Sequence, residues 1–262
     1  MFFLYHAASA PTGNVIARAL GMPHGEVPPT VQEDFLIRWG AQQRLVRAPR
    51  VVLNRADAIA NAADKLQSLK MLEYEDIPVP PFSEELDLIE APFLGRNRHH
   101  SRGTDIVLYM QHADTELFGE KDFYTQYVPT LHEYRVHVVR DKVIRVSQKL
   151  YDHTHDPIGA RHSWIRNHEN GWVFRSPTHP LSHYWQNTAI EAVHALGLDF
   201  GAVDLIVDEE GRALVLEVNT APACSPRTAR AYCEAFVMVA APHGIALTLD
   251  AAILDELAVR DE

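Results

Sequence analysis

The segment that most constrains the chain runs from Gly201 to Pro222. Two short apolar runs, Val203–Val207 and Ala213–Val218, flank Asp208-Glu209-Glu210-Gly211, a sequence that favours a tight turn. The reading is therefore an antiparallel hairpin. Glu217 and Asn219 are two residues apart and share one face of their strand. If residues 209–212 form the turn, Asp208 faces Ala213 and Asp204 lies directly opposite Glu217. Cross-strand neighbours have Cβ atoms about 5 Å apart. Two carboxylates and an amide oxygen then meet on one patch. Like charges so close are unfavourable without a cation between them. Hard oxygen donors of this kind suit Mg²⁺, with phosphate oxygens completing its shell. A plain polar face on an exposed hairpin is the alternative. It fits less well, because Val203, Leu205, Val215 and Leu216 alternate only partly with polar residues, which points to burial on both sides.

The remaining elements suggest an α+β fold. Residues 2–5 read as a strand, followed by a helix from Thr12 to Leu20, and Phe35–Arg38 and Val51–Leu53 read as strands buried in a small parallel sheet. Ala56 to Glu73 reads as one amphipathic helix, ended by Ile77-Pro78-Val79-Pro80-Pro81. Strand-like stretches follow near 86–95, 105–111 and 122–128. Glu133–Val139 and Val143–Leu150 form a hairpin around Arg140-Asp141-Lys142, and 151–171 is a long polar loop. Leu181–Leu196 is a helix closed by Gly197, and helices at 226–241 and 250–259 finish the chain.

Charge narrows the partners. The 262 residues carry a formal charge of −11, which disfavours nucleic acid. Arginines and lysines nevertheless crowd the middle, among them Arg96, Arg98, Arg102, Arg135, Lys149, Arg161 and Arg166, either as a solvated face or as a polyphosphate site. No apolar run reaches the ~20 residues of a membrane helix. Two cysteines, Cys224 and Cys233, make no disulfide framework, and a cytoplasmic location is expected. The histidines and acids of 152–168 fit no standard zinc spacing.

Asp204-Leu205-Ile206 with Leu216-Glu217-Val218-Asn219-Thr220-Ala221-Pro222 resembles the metal-binding motif of ATP-grasp ligases, the group of glutathione synthetase, D-alanine–D-alanine ligase and the ribosomal-protein glutamate ligases. Asn54-Arg55, Asp64-Lys65-Leu66 and Ile77-Pro78-Val79-Pro80 are similar to the start of the same fold. The resemblance spans about Val51 to Ser225. It implies two α+β subdomains clamping ATP, here about 56–125 and 126–262, behind a short N-terminal α/β segment, 1–55. By the same resemblance Asp204, Glu217 and Asn219 hold Mg²⁺, two ions with Mn²⁺ able to substitute. Lys65 reaches the phosphates and Leu216 packs under adenine. Gln126, Tyr127 and Val128 form the hinge that meets the base, where many members have Glu-Lys or Glu-Tyr. Glu133 takes the ribose hydroxyls.

Arg96 stands where the family has a strand-end lysine, and Gly103 lies in the following flexible loop, which otherwise is a basic surface loop. Glu133, Arg135 and His137 alternate on one strand, so Arg135 points at phosphates or forms a cross-strand ion pair. Lys149, Arg161, Arg166 and Asn167 are candidates for acyl or phosphate contacts, unless 151–171 is a solvent loop. The implied activity joins a carboxylate to an amine through an acyl phosphate, forming ADP. The implied partners are a carboxylate substrate and an amine acceptor, which is an amino acid, a peptide or a protein terminus. No membrane partner is expected, and a homodimer is compatible.

Overall fold

The computed structural model describes residues 2–7, 10–29, 33–45, 47–99, 106–155 and 166–256. Three sheets organise them. The first is parallel, in the order β2-β1-β3-β4, from β1 (Phe2–His6), β2 (His24–Gly25), β3 (Phe35–Trp39) and β4 (Val51–Leu53). Every residue of β3 is buried, as a continuous apolar run in a parallel sheet requires. Helix α1 (Pro11–Ala19) crosses between β1 and β2.

Helix α6 (Pro226–Ala240) packs on this sheet, and Ser225 caps it by accepting from the Thr228 N–H. Its Tyr232 and Phe236 meet Trp39 and Phe200, with Trp39 and Tyr232 edge to face at 5.0 Å. The N-terminal segment thus shares one core with the C-terminal helix.

The expected single helix over 56–73 is two. Helix α2 (Ala56–Ala63) stops at Asp64, whose extended backbone starts α3 (Lys65–Tyr74) and whose carboxylate accepts from the Gln67 N–H at 3.0 Å. An Asp that caps gains more than one buried mid-helix, and this competition was invisible to periodicity alone. Helix α3 contributes Leu66 and Leu69 to one small core with Phe123, and Leu72 to the large core.

The second sheet is antiparallel, ordered β5-β8-β6-β7, from β5 (Phe82–Ser83), β6 (Phe93–Arg96), β7 (Val107–Tyr109) and β8 (Phe123–Gln126). A 3-10 turn at Leu86–Leu88 takes the front of the strand expected at 86–95, and a short helix α4 (Thr115–Phe118) precedes β8.

The third sheet carries the chemistry. Its strands are β9 (Thr130–Val139), β10 (Lys142–Tyr151), β11 (Trp172–Arg175), β12 (Phe200–Asp208) and β13 (Ala213–Asn219), all antiparallel in the order β11-β10-β9-β12-β13. Helix α5 (His183–Ala195), capped by Ser182, covers one face together with α2 and part of α3. Strand β11 was not expected. The helix expected at 250–259 is a 3-10 turn, Ala251–Glu256, as far as the described residues run.

Asn54 fastens the first sheet to the third. Its backbone is left-handed, at φ 61°. Its side-chain oxygen accepts from the Asp199 and Phe200 N–H groups at 2.7 and 3.1 Å, and its amide donates to the Phe200 carbonyl at 3.0 Å.

Candidate functional site

Side chains alternate across the third sheet. Tyr134, Val136, Val138, Val203, Leu205 and Val207 enter the core under α5. The opposite face carries the charges. Strand pairing aligns Arg135, Asp204 and Glu217 in one row, His137, Ala202 and Asn219 in the next, and Glu133, Ile206 and Leu214 on the other side.

The expected Asp204–Glu217 pairing is present, by a different route. Val207, not Asp208, faces Ala213, so a regular ladder would set Asp204 against Leu216. A register shift between Asp204 and Leu205 leaves Leu216 as the extra residue and restores Glu217 to its place. The bulge also lets Val215 and Val218, three apart, both enter the core.

Each carboxylate has a cation. Arg135 grips Asp204 through two bonds of 2.7 Å, which is the cross-strand ion pair. Lys65, at the start of α3, bonds Glu217. Lys149 bonds Glu133, and Arg166 lies 4.0 Å from the same carboxylate. The Asn219 amide donates to Glu217 at 3.0 Å and to Asp204 at 3.3 Å. Arg96 is buried beside Glu217, and its Nε has no hydrogen-bond partner among the described residues.

Ionisation follows these neighbours. Burial opposes the charge on Glu217, but Lys65, then Arg96 and Asn219, hold its carboxyl far below the usual range. Burial raises Glu133, which Lys149 only partly offsets. Burial works against the Arg135 cation, and Asp204 more than restores it. His137 is pushed down to about 3 by burial, Arg135 and Arg145, and its neutral ring meets the Tyr232 hydroxyl at 3.1 Å.

The face therefore sets five cations, Lys65, Arg96, Arg135, Lys149 and Arg166, against three carboxylates, Glu133, Asp204 and Glu217. The surplus of two positive charges sits in a chain of net −11.

The fold recurs in solved structures. The ATP-grasp ligase PsnB, complexed with minimal precursor, superposes with a TM-score of 0.66 at 14% identity, covering 92% of this chain and 98% of that one. D-alanine–D-alanine ligase from Bacillus anthracis, complexed with ATP, gives 0.62 at 17% identity over 92% of this chain and 96% of that one.

The chain has the ATP-grasp fold.

The sequence is similar to proteins named as glutamate ligases. Over 188 residues it is 28% identical to a protein named probable alpha-L-glutamate ligase from Haemophilus influenzae, covering 65% of this chain and 59% of that protein. A protein of the same name from Mannheimia succiniciproducens is 26% identical over 189 residues, with 65% and 59% covered. The chain thus spans about three fifths of the length of these relatives. No family model matches it.

Within the ATP-grasp fold, the three residues expected to bind metal meet within hydrogen-bond distance through Asn219. Their oxygens suit a hard cation, on condition that the Asn219 amide turns its oxygen inward. At the expected hinge, the Gln126 and Tyr127 N–H groups donate to the Pro81 and Pro92 carbonyls, at 2.8 and 3.0 Å. Leu216, the bulge residue, is half-buried. Strand β8 ends at Gln126, short of Val128.

The first half of the basic loop is paired: Arg98 bonds Glu84 at 3.0 Å and Asp64 at 3.4 Å, and its N–H donates to Asp122. Its carbonyl accepts from the Lys65 N–H at 3.1 Å, which ties the loop's first half to the site. Gly103, Arg102 and Arg161 lie outside the described residues.

Sequence reasoning missed Phe174 and Trp172, which place their rings over site cations. The only local hint was the four-residue alternation Trp172-Val173-Phe174-Arg175 after Gly171, too short to define a strand by itself.

Among the described residues, no cluster of three His, Cys, Asp or Glu could hold a metal, and no helix is long and apolar enough to cross a membrane. Cys224 and Cys233 are free and buried, and burial pushes Cys233 up to about 12.

Proposed function

We propose that the chain is an ATP-dependent, ADP-forming ligase that joins a carboxylate to an amine. The observation that supports it best is the juxtaposition of Asp204, Glu217 and Asn219 inside a surplus of cations, on a fold whose solved examples include ligases with bound ATP.

In this reading Lys65, Arg96 and Arg135 draw charge from the phosphate chain while a substrate carboxylate attacks the γ-phosphorus. Mg²⁺, as two ions or with Mn²⁺ in their place, would be held by Asp204, Glu217 and Asn219 and would screen the phosphate oxygens. Lys149 and Arg166 meet the γ-phosphate and hold it after transfer as the acyl phosphate, ADP leaves, and an amine then displaces phosphate from the acyl carbon. Glu133 takes the ribose hydroxyls, Leu216 lies under adenine, and Val128 with the carbonyls of Gln126 and Tyr127 meets its edge. Gly103 allows the loop after Arg98 to approach the γ-phosphate. The acceptor is an amino acid, a peptide or a protein terminus.

Hydroxylamine intercepts acyl phosphates. Incubation with ATP, Mg²⁺ and a panel of amino acids and peptides is expected to release ADP and yield a hydroxamate with the correct carboxylate. ADP release with a phosphorylated product and no hydroxamate indicates a phosphotransferase. Nucleotide binding without turnover on any panel member indicates a binding module.

A further inference from the structure

Strand β11 is an edge strand of the third sheet, and Trp172 and Phe174 lie on one face of it. Neither ring belongs to any of the hydrophobic clusters among the described residues, and both are half-buried. Trp172 meets Tyr151 edge to face at 5.5 Å, and each ring also lies against cations. The Arg135 guanidinium is 4.4 Å from the Phe174 ring centroid, and the Lys149 ammonium is 5.1 Å from the same centroid. The Arg166 guanidinium is 4.8 Å from the Trp172 ring. All three distances fall within the ~6 Å over which a ring face attracts a cation.

A carboxylate and a ring hold a cation with different consequences. A carboxylate cancels the charge it binds. A ring attracts through its quadrupole without adding negative charge, so Phe174 and Trp172 hold cations already paired with Asp204 and Glu133 and leave the site's surplus of positive charge undiminished. Three like charges crowded at one sheet edge also repel one another, and a rigid aromatic face offsets that repulsion without adding negative charge.

We propose that Phe174 and Trp172 are positioning residues, which fix Arg135, Lys149 and Arg166 toward the phosphate chain of a bound nucleoside triphosphate. The proposal rests on the nucleotide reading above. Phe174 acts on two cations and carries the larger effect.

The test is calorimetric titration of the whole chain with ATP plus Mg²⁺, and separately with adenosine. Phe174→Leu keeps apolar bulk and removes the ring. It is expected to weaken ATP binding by about threefold to tenfold, the range of one or two partly exposed cation–π contacts, and to leave adenosine binding unchanged. Phe174→Tyr restores a ring face and is expected to restore ATP affinity. Trp172→Leu, acting through Arg166, gives the same comparison if Phe174→Leu does not fold. Wild-type ATP affinity in the leucine variants overturns the proposal alone, as does equal loss of ATP and adenosine. A wild-type chain that binds no ATP overturns the nucleotide reading and this proposal with it.

Discussion

Lys65 is the first residue of α3, and its ammonium crosses to Glu217 on β13. A lysine so placed can serve phosphate only by sharing itself with that carboxylate. Lys65→Ala is therefore expected to weaken ATP binding at least tenfold while adenosine binding changes little. Equal losses for both ligands, measured by titration, would make Lys65 a structural counter-ion. His137 gives a prediction about pH. Its folded-state value is depressed from 6.5 to about 3, so the stability from keeping it neutral is fully present above about pH 6.5 and is lost as pH falls toward 3. The loss at pH 5 is about 2 kcal/mol relative to pH 8. Urea titrations of His137→Gln are expected to show a flatter profile between pH 6.5 and 4 than the wild type. An unchanged slope would show that His137 takes no part in the acid limb.

Two elements carry the site, and both turn on a local exception to periodic structure. The break at Asp64 directs Lys65 toward the third sheet and anchors Arg98. Asp64→Ala removes the cap of α3 and one partner of Arg98. It is expected to cost about 1 kcal/mol in urea unfolding, a typical capping loss. No change in stability would show that the cap is dispensable and that α2 and α3 tolerate fusion. The bulge at Leu216 is the other exception. Apolar spacing revealed both strands of that hairpin and the face shared by Glu217 and Asn219. It could not reveal the bulge, because Asp204 meets Glu217 in a regular ladder with one turn as well as in a bulged ladder with another. The missed strand β11 has a related cause. Its four residues follow a polar stretch, and a strand that short is set by pairing with β10 rather than by its own sequence.

At the scale of the whole molecule, the carboxylates of the site lie on one sheet that is fastened on both sides, and α3 and β6 bring Lys65 and Arg96 to it. Helix α6 and the first sheet share a core with β10 and β12, while α2, α3 and α5 cover the opposite face. Asn54 is the tie between the first and third sheets, and its left-handed backbone and three side-chain bonds identify a position that other residues fill poorly. Asn54→Ala is expected to cost about 3 kcal/mol, from about 1 kcal/mol for each bond, read as a lower urea midpoint. A midpoint within error of the wild type would show that the tie contributes nothing. The α+β class, the pairing of Asp204 with Glu217 and the shared face of Glu217 and Asn219 were legible in sequence, because apolar alternation and polar residues two apart survive without tertiary context. The joining of the first sheet to α6 was not, since contacts between Trp39 and Tyr232 leave no local pattern.

The central claim is that Asp204, Glu217 and Asn219 form a metal site serving a nucleotide. The most direct measurement is the affinity for ATP with and without Mg²⁺, in the wild type and in Glu217→Gln. The wild type is predicted to bind ATP at least tenfold more tightly with Mg²⁺. Glu217→Gln removes a negative charge from beside Lys65 and Arg96, so it is predicted to bind metal-free ATP no more weakly than the wild type and to lose most of the gain from Mg²⁺. Wild-type ATP affinity that is indifferent to Mg²⁺, or a Glu217→Gln variant that keeps the full Mg²⁺ effect, would contradict the account.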